Sequence, residues 1–207
     1  MGGPSGEEVT LPPPREEGEM SVEEAIQRRR SIRDYKREPL TVEEVSQLLW
    51  AAQGITSRKG FRASPSAGAT YPMVIFLAVK EGGVTGLEAG IYRYDPWSHS
   101  LTMISKGDFS FQLYRACLDQ EWVRSAPVNL LIFANFTRTT SWYGERGIRY
   151  VYMEAGHIGQ NIYLQATALG LGTVAVGAFY DDQLKEIVGT DLEPLYVFPV
   201  GRPLHEP

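Results

Sequence analysis

The chain has little cysteine, no long apolar run and no surplus of positive charge, and each shortage removes a class of function. Its one cysteine, Cys117, cannot form an intramolecular disulfide or a thiolate cluster, which fits a reducing compartment. Cys117 stands between Ala116 and Leu118 in an apolar stretch, the setting of a quiet core thiol and not of an activated nucleophile. No apolar run approaches the ~20 residues of a membrane span. Residues 1–20, rich in Gly, Pro and Glu, lack the basic-then-apolar layout of a secretory signal, so a cytoplasmic address is the default expectation. A formal net charge of −5 argues against broad binding to nucleic acid or an acidic membrane, because both need an extended positive field. Gly-x-Ser-x-Gly, Walker A, His-Glu-x-x-His and paired Cys-x-x-Cys motifs are all missing, which excludes the commonest hydrolase, NTPase and zinc chemistries.

What is present suits one globular domain with a tail: 207 residues, 43% hydrophobic and 22% charged. Residues 1–20, with Pro12, Pro13 and Pro14, form neither a helix nor a central strand and are expected as an extended arm, free to wrap a partner. The domain proper is expected over residues 21–207. Ser21 with Glu24, and Thr41 with Glu44, have capping-box spacing and predict helix starts at about 21 and 41. Val45, Leu48, Leu49 and Ala52 share one face of the second helix. Met73 to Val79 and Val128 to Phe133 are continuous apolar runs of strand length, as for strands covered on both faces. Gly90 to Tyr94 and Ser100 to Ile104 predict a hairpin. Helices are predicted near 109–118, over about 148–169 and from Asp181 as cap to just before Gly189, with strands over 173–178 and 194–200. The irregular alternation and the central hairpin favour an α+β domain with a mixed, mostly antiparallel sheet over a doubly wound one.

Three segments carry possible chemistry. Arg28-Arg29-Arg30-Ser31-Ile32-Arg33 places four guanidiniums in six positions at a helix end. That suits a solvated C-terminus, where cations oppose the macrodipole, and equally an anion site, since arginine forks match phosphate. Ser64 to Pro72 has small side chains through which backbone could approach a flat ligand, or it is an ordinary loop. Gly170-Leu171-Gly172-Thr173 closes a helix and opens a strand, the reverse of the dinucleotide fingerprint, and is not a Rossmann signal. Glu154 and His157 have the i, i+3 spacing of a metal-binding pair, but no second pair accompanies them; no metal site is expected, and His157 is expected to be packed or hydrogen-bonded.

Taken in order, Leu11-Pro12-Pro13-Pro14, Arg29 to Tyr35, Pro65 to Pro72, Glu154 to Asn161 and Gly170 to Thr173 resemble the nitroreductase-like flavoproteins, and among them the SagB-type branch of azoline dehydrogenases. The likeness spans about residues 9–201. It implies a homodimer with FMN between the subunits, and a ping-pong oxidoreductase moving hydride from NAD(P)H to a flat organic acceptor such as a nitroaromatic or a quinone. The alternatives are oxidation of azoline rings in modified peptides and a flavin-binding homologue without turnover. By the same resemblance Arg29, Arg30, Ser31 and Arg33 grip the phosphate and ring edge, and Pro65, Ser66, Ala67 and Gly68 reach in from the other subunit. Val176, Gly177 and Ala178 pass beneath the ring, and Arg202 is what remains of a basic C-terminal closure. The chain departs from many relatives with Ala69 in place of Asn and Gly177 in place of an acidic residue. Tyr143 matches the tyrosine of a Lys-Tyr-Gly segment that assists proton removal in azoline oxidation, but Trp142 stands where the lysine would be.

Overall fold

Hydroxyl side chains open the first two helices, as their spacing predicts. In the computed structural model, which describes residues 6–205, Ser21 Oγ accepts the Glu24 N–H at 3.1 Å and starts α1 (Val22–Arg28). Thr41 and Glu44 form both halves of a capping box before α2 (Val42–Gln53), satisfying two otherwise orphaned N–H groups. One face of α2 buries Val45, Leu48, Leu49 and Ala52.

The uninterrupted apolar runs become β2 (Met73–Val79) and β5 (Val128–Ala134), buried along their whole length and paired with each other. β3 (Gly90–Asp95) and β4 (Ser100–Lys106) are the predicted hairpin. With β1 (Glu8–Thr10), β6 (Gly172–Thr173) and β7 (Glu193–Gly201) they make a seven-stranded sheet of order β1-β4-β3-β2-β5-β7-β6. All pairings between these strands are antiparallel, and the parallel component consists of the isolated bridges Ser31 with Thr173 and Leu40 with Val84.

Helices cover both faces. On one, α2 and the 23-residue α6 (Arg146–Ala168) pack Leu48, Val151, Ile158 and Ile162 onto Ile75, Leu77, Leu130 and Ile132. On the other, α3 (Ser110–Ala116), α4 (Glu121–Ser125) and α7 (Asp181–Val188) pack Leu113, Val123 and Leu184 onto Phe76, Leu131 and Phe133. Cys117 lies in this second layer, fully buried, and burial pushes its thiol up to about 12.

Several expectations are corrected. The strand predicted over 173–178 shrinks to Gly172–Thr173 and a single bridge from Val176 to Val197, because the chain then turns away to reach α7. Asp181 is the first residue of α7 and not its cap; Tyr180 holds the cap position without a side-chain bond. α5 (Thr137–Tyr143) was not predicted, since Thr-Arg-Thr-Thr-Ser is poor helix sequence. Thr140 and Ser141 turn their hydroxyls back onto the carbonyls of Phe136 and Thr137, which occupies the side chains that would otherwise compete with the helix. Beside these corrections, the described part of the arm lies on its own domain, residues 1–5 falling outside the described residues: Glu8 to Thr10 pair with Ser100 to Thr102, Leu11 is buried, and Ser46 donates to the Pro12 carbonyl at 2.6 Å. Gln47 exchanges two hydrogen bonds with the Arg15 backbone, of 2.8 and 3.0 Å.

One close approach fixes how α1 meets the sheet. A Cβ on Gly172 would lie 2.7 Å from Ile32 Cβ, so only glycine lets the segment after α1 close on β6, where the Ile32 N–H donates to the Thr173 carbonyl at 2.9 Å. Gly172→Ala is expected to cost about 1–3 kcal/mol of stability by overpacking, read from urea denaturation; an unchanged midpoint would show that Ile32 gives way.

Candidate functional site

α1 ends at the arginine cluster. Arg28 is paired with Glu24 at 2.7 Å, but among the described residues no carboxylate pairs with Arg29, Arg30 or Arg33. Arg29 lies 5.1 Å from the centre of the Tyr163 ring and Arg33 lies 5.4 Å from that of Trp122, while Arg30 donates to the carbonyls of Gln27 and Arg29. Tyr163, on α6, joins the parts of this shelf. Its hydroxyl accepts the Ala175 N–H at 2.8 Å and sits 3.0 Å from Ser31 Oγ, and its ring stands edge-on to Phe198. The Tyr35 hydroxyl, its phenol pushed up by burial, is shared between the carbonyls of Ile32 and Pro199 and pins the turn to β7. Val176 is buried with its N–H and C=O both bonded to Val197, whereas Gly177 and Ala178 are exposed. Among the described residues the Gly177 N–H has no acceptor. Tyr163 thus joins Arg29 and Ser31 to the backbone that leads into 176–178, while Arg33 lies against Trp122 of α4 and Arg30 is turned back onto its own helix end.

Pro65, Ser66, Ala67 and Gly68 lie elsewhere, over the N-terminal half of α6. Ser64 is buried and tied to the Ala52 carbonyl and to Asn161 of α6. Ser66 Oγ accepts the Tyr71 N–H at 3.0 Å across a single 3-10 turn. Inside it Gly68, Ala69 and Tyr71 have φ of 59°, 52° and 45°. Left-handed backbone at a non-glycine residue costs about 1–3 kcal/mol and persists only where its surroundings overdetermine it. Here Arg138 donates to the Tyr71 carbonyl, Thr70 meets Thr139, and the Arg62 N–H donates to the Tyr71 hydroxyl. Tyr143 is seated on this loop, its hydroxyl oxygen 2.6 Å from where a Cβ on Gly68 would be, and its ring is edge-on to Tyr150. Trp142 is 80% exposed.

Beneath the loop is a group that the sequence did not single out as buried. Glu154 is only 2% exposed, and burial pushes its carboxyl up to about 7 against the opposing pull of Ser66, Gln53 and Arg62. Arg62 donates to Gln53 Oε1 at 2.7 Å, yet Glu154 Oε1, Gln53 Nε2 and Arg62 Nε have no hydrogen-bond partner among the described residues. A cavity of about 640 Å³, lined by Gln53, Arg62, Tyr94, Trp97 and Arg138 among others, opens on this side and not at the arginine shelf.

Arg202, which the resemblance puts at the phosphate, is held by Glu44 at 3.0 Å and by Glu38 at 3.5 Å. One sequence expectation is not met. His157 is exposed and, among the described residues, makes no hydrogen bond; Glu154 three residues earlier points inward. Among the described residues no group of three or more His, Cys, Asp or Glu could hold a metal, and no helix is long and apolar enough to cross a membrane. The sequence missed Tyr163 and Trp122 as ring partners of the arginines. Tyr163 is 132 residues from Ser31, and no spacing rule joins them.

Comparison with known proteins places these features in a family. A family model described as the nitroreductase family matches residues 26–202. The chain is 48% identical over 184 residues to a protein of Methanocaldococcus jannaschii provisionally named a nitroreductase, covering 89% of this chain and 92% of that one. Among solved structures, a provisionally named nitroreductase from Anabaena variabilis superposes with a TM-score of 0.84 at 34% identity, covering 97% of this chain and 42% of that one. More distantly, a chain of the Escherichia coli microcin synthetase McbBCD complex, solved with truncated pro-MccB17 bound, matches with a TM-score of 0.75 at 27% identity, covering 84% of this chain and 68% of that one.

The buried Glu154 gives a pH-dependent stability with a definite sign. Its folded-state value is raised from 4.5 to about 7. Its contribution is therefore fully present below pH 4.5 and is lost as pH rises through about 7, a fall on the order of 3 kcal/mol. Glu154→Gln is expected to gain on the native protein steadily from pH 4.5 to 8 in urea denaturation; parallel stability curves would show that Glu154 is charged at little cost.

Proposed function

The chain belongs to the nitroreductase family, and from that premise we propose that it is an FMN-dependent oxidoreductase working as a homodimer. The observation that carries this is the shelf: three guanidiniums without a carboxylate partner among the described residues, beside an exposed and unbonded Gly177 N–H. Guanidinium forks suit a single terminal phosphate, and charge-assisted bonds are the strong ones. Arg29, Arg30, Ser31 and Arg33 would hold the phosphate and ring edge, with Val176, Gly177 and Ala178 beneath the ring. Bound FMN supplies a two-electron carrier that takes hydride from a reduced nicotinamide and returns it to a flat acceptor such as a nitroaromatic or a quinone, which gives ping-pong kinetics. The chain's own part is binding and electrostatics: an arginine at the ring edge opposes the negative charge that builds there on reduction.

The second subunit completes the site. By the family resemblance, Pro65, Ser66, Ala67 and Gly68 serve the partner's flavin; along α6 the loop is carried from Asn161, which bonds Ser64, to Glu154 under Ser66, nine residues and ~14 Å before Tyr163 at the arginine shelf. The exposed stripe of α6 supports this. Ile148, Tyr152 and Met153 are 40%, 58% and 52% exposed and run with the exposed Gly156 along one face, the kind of helix surface that a second protein covers.

The purified protein is expected to be yellow, to release FMN and not FAD on denaturation, and to scatter light as two chains. Arg29→Ala with Arg33→Ala is expected to weaken FMN binding at least ~100-fold, since each charge-assisted bond contributes about 1.5–3 kcal/mol. A colourless protein that also fails to take up added FMN defeats the proposal.

A second activity, oxidation of azoline rings in a peptide, is favoured by one observation: Tyr143 sits against Gly68 beside the proposed flavin loop. The likeness to the microcin synthetase chain adds to it. Proton removal there is weakened by Trp142, because an indole is no base, and a missing general base costs about 10²–10⁴-fold in rate. Trp142→Lys is expected to raise azoline oxidation and Tyr143→Phe to lower it in a coupled peptide assay; efficient oxidation by the unaltered chain would reverse the order of the two activities.

A further inference from the structure

The strand expected over residues 173–178 breaks at Ala175, and the break leaves one backbone group to a side chain. Thr173 pairs with Val200 and gives its carbonyl to the Ile32 N–H, while Val176 exchanges both its backbone bonds with Val197. Ala175, between them, has no strand neighbour; its N–H donates at 2.8 Å to the hydroxyl of Tyr163 on α6. Packing holds that phenol in place. Its ring stands edge-on to the fully buried Phe198 at 5.9 Å, and Ile162 and Ala166 beside it on the helix are buried. The Tyr163 oxygen, having accepted one bond, still has its own proton to place. Among the described residues the acceptor in reach is Ser31 Oγ at 3.0 Å, and with Ser31 as donor instead the phenol proton would have none. Ser31 then keeps a rotatable proton of its own. Because Ser31 is exposed, that proton faces the open side of the shelf, where Arg29 stands over the same tyrosine ring.

We propose that Tyr163 is the positioning residue of the shelf: by accepting the Ala175 N–H and donating to Ser31 Oγ, its hydroxyl holds the 176–178 backbone beside the end of α1 and turns the Ser31 proton outward as a donor to a phosphate group. That the phosphate belongs to a flavin rests on the function proposed above. The two halves of this brace act differently. Towards Ser31 the effect is electrostatic, since a hydroxyl that accepts one hydrogen bond is polarised into a better donor for the next, and a bond to a charged acceptor is the strong kind. Towards Ala175 the effect is geometric, because Ala175 lies two residues before the exposed Gly177 and its bond sets how that free N–H is presented. The ring alone does neither. Phenylalanine at position 163 would keep an edge for Phe198 and a face for Arg29, and would remove both hydrogen bonds.

The test begins on the full chain freed of any cofactor. Amide exchange by NMR gives the protection of the Ala175 N–H relative to that of Ile32, whose N–H is bonded to the Thr173 carbonyl. That ratio is expected to fall about tenfold in Tyr163→Phe, the loss of one hydrogen bond. Inorganic phosphate, titrated into the same samples and followed by amide shifts, reads the other half. Its affinity is expected to fall about tenfold in Ser31→Ala, about threefold in Tyr163→Phe, and no further in the double variant than in Ser31→Ala alone. A phenol that acts through Ser31 has nothing to act on once that oxygen is gone, whereas a residue that only props up the fold would add its own loss. Unchanged Ala175 protection, additive losses, or a native chain that binds no phosphate overturns the proposal. FMN then separates the two ideas: weaker uptake by Tyr163→Phe than by the native chain upholds both, while FMN refused by a chain that shows the non-additive phosphate pattern upholds Tyr163 and removes the flavin from the shelf.

Discussion

Everything in this molecule that bears on chemistry hangs from the packing of one face of α6 on the sheet. Val151, Ala155, Ile158, Ile162 and Ala166 recur at helical spacing and are each almost fully buried, so the helix cannot slide or rotate without exposing its whole apolar stripe. That constraint fixes two side chains which do not face the core in the ordinary sense. Tyr163 organises the arginine shelf, and Glu154 sits under the Ser66 loop. A single rigid element therefore sets the distance between the two half-sites. The shelf carries guanidiniums without a carboxylate partner among the described residues, and the loop exposes Gly68 and Ala69.

The two half-sites are built by opposite means. The shelf is assembled from weak, outward-facing contacts: guanidiniums over rings, a hydroxyl that meets another, and one free amide. It is open and cationic, and it orders little of the backbone. The Ser66 loop is strained and tightly tied, with two non-glycine residues in left-handed backbone and hydrogen bonds arriving from α5, α6 and its own turn. One half is suited to gripping charge and the other to presenting a fixed surface.

Much of this was legible in the sequence where the physics is local. Capping-box spacing gave the starts of α1 and α2, uninterrupted apolar runs gave β2 and β5, and the arginine cluster was visible because like charges that close together need a reason. What could not be read depends on distant pairs. Arg202 looks like a spare cation until Glu44, 158 residues away, is folded beside it. Glu154 and His157 share a spacing that suggests one face, but they lie about 60° apart around the helix, and the edge of burial falls between them. α5 was hidden because its residues favour other structure until their hydroxyls are turned back on the helix.

The fastening of the arm has a consequence for how copies of this chain can meet. β4 would otherwise be the outer strand of the sheet, seven residues of unpaired backbone on one side, and such an edge is a template for another chain's strand. Glu8 to Thr10 cover part of it, and Leu11 is held by its N–H on the His99 carbonyl. At the opposite margin β6 is only two residues long. The sheet is thus guarded at both borders by the chain itself, which discourages runaway strand-to-strand growth and leaves helix surfaces, and not strand edges, open to another chain.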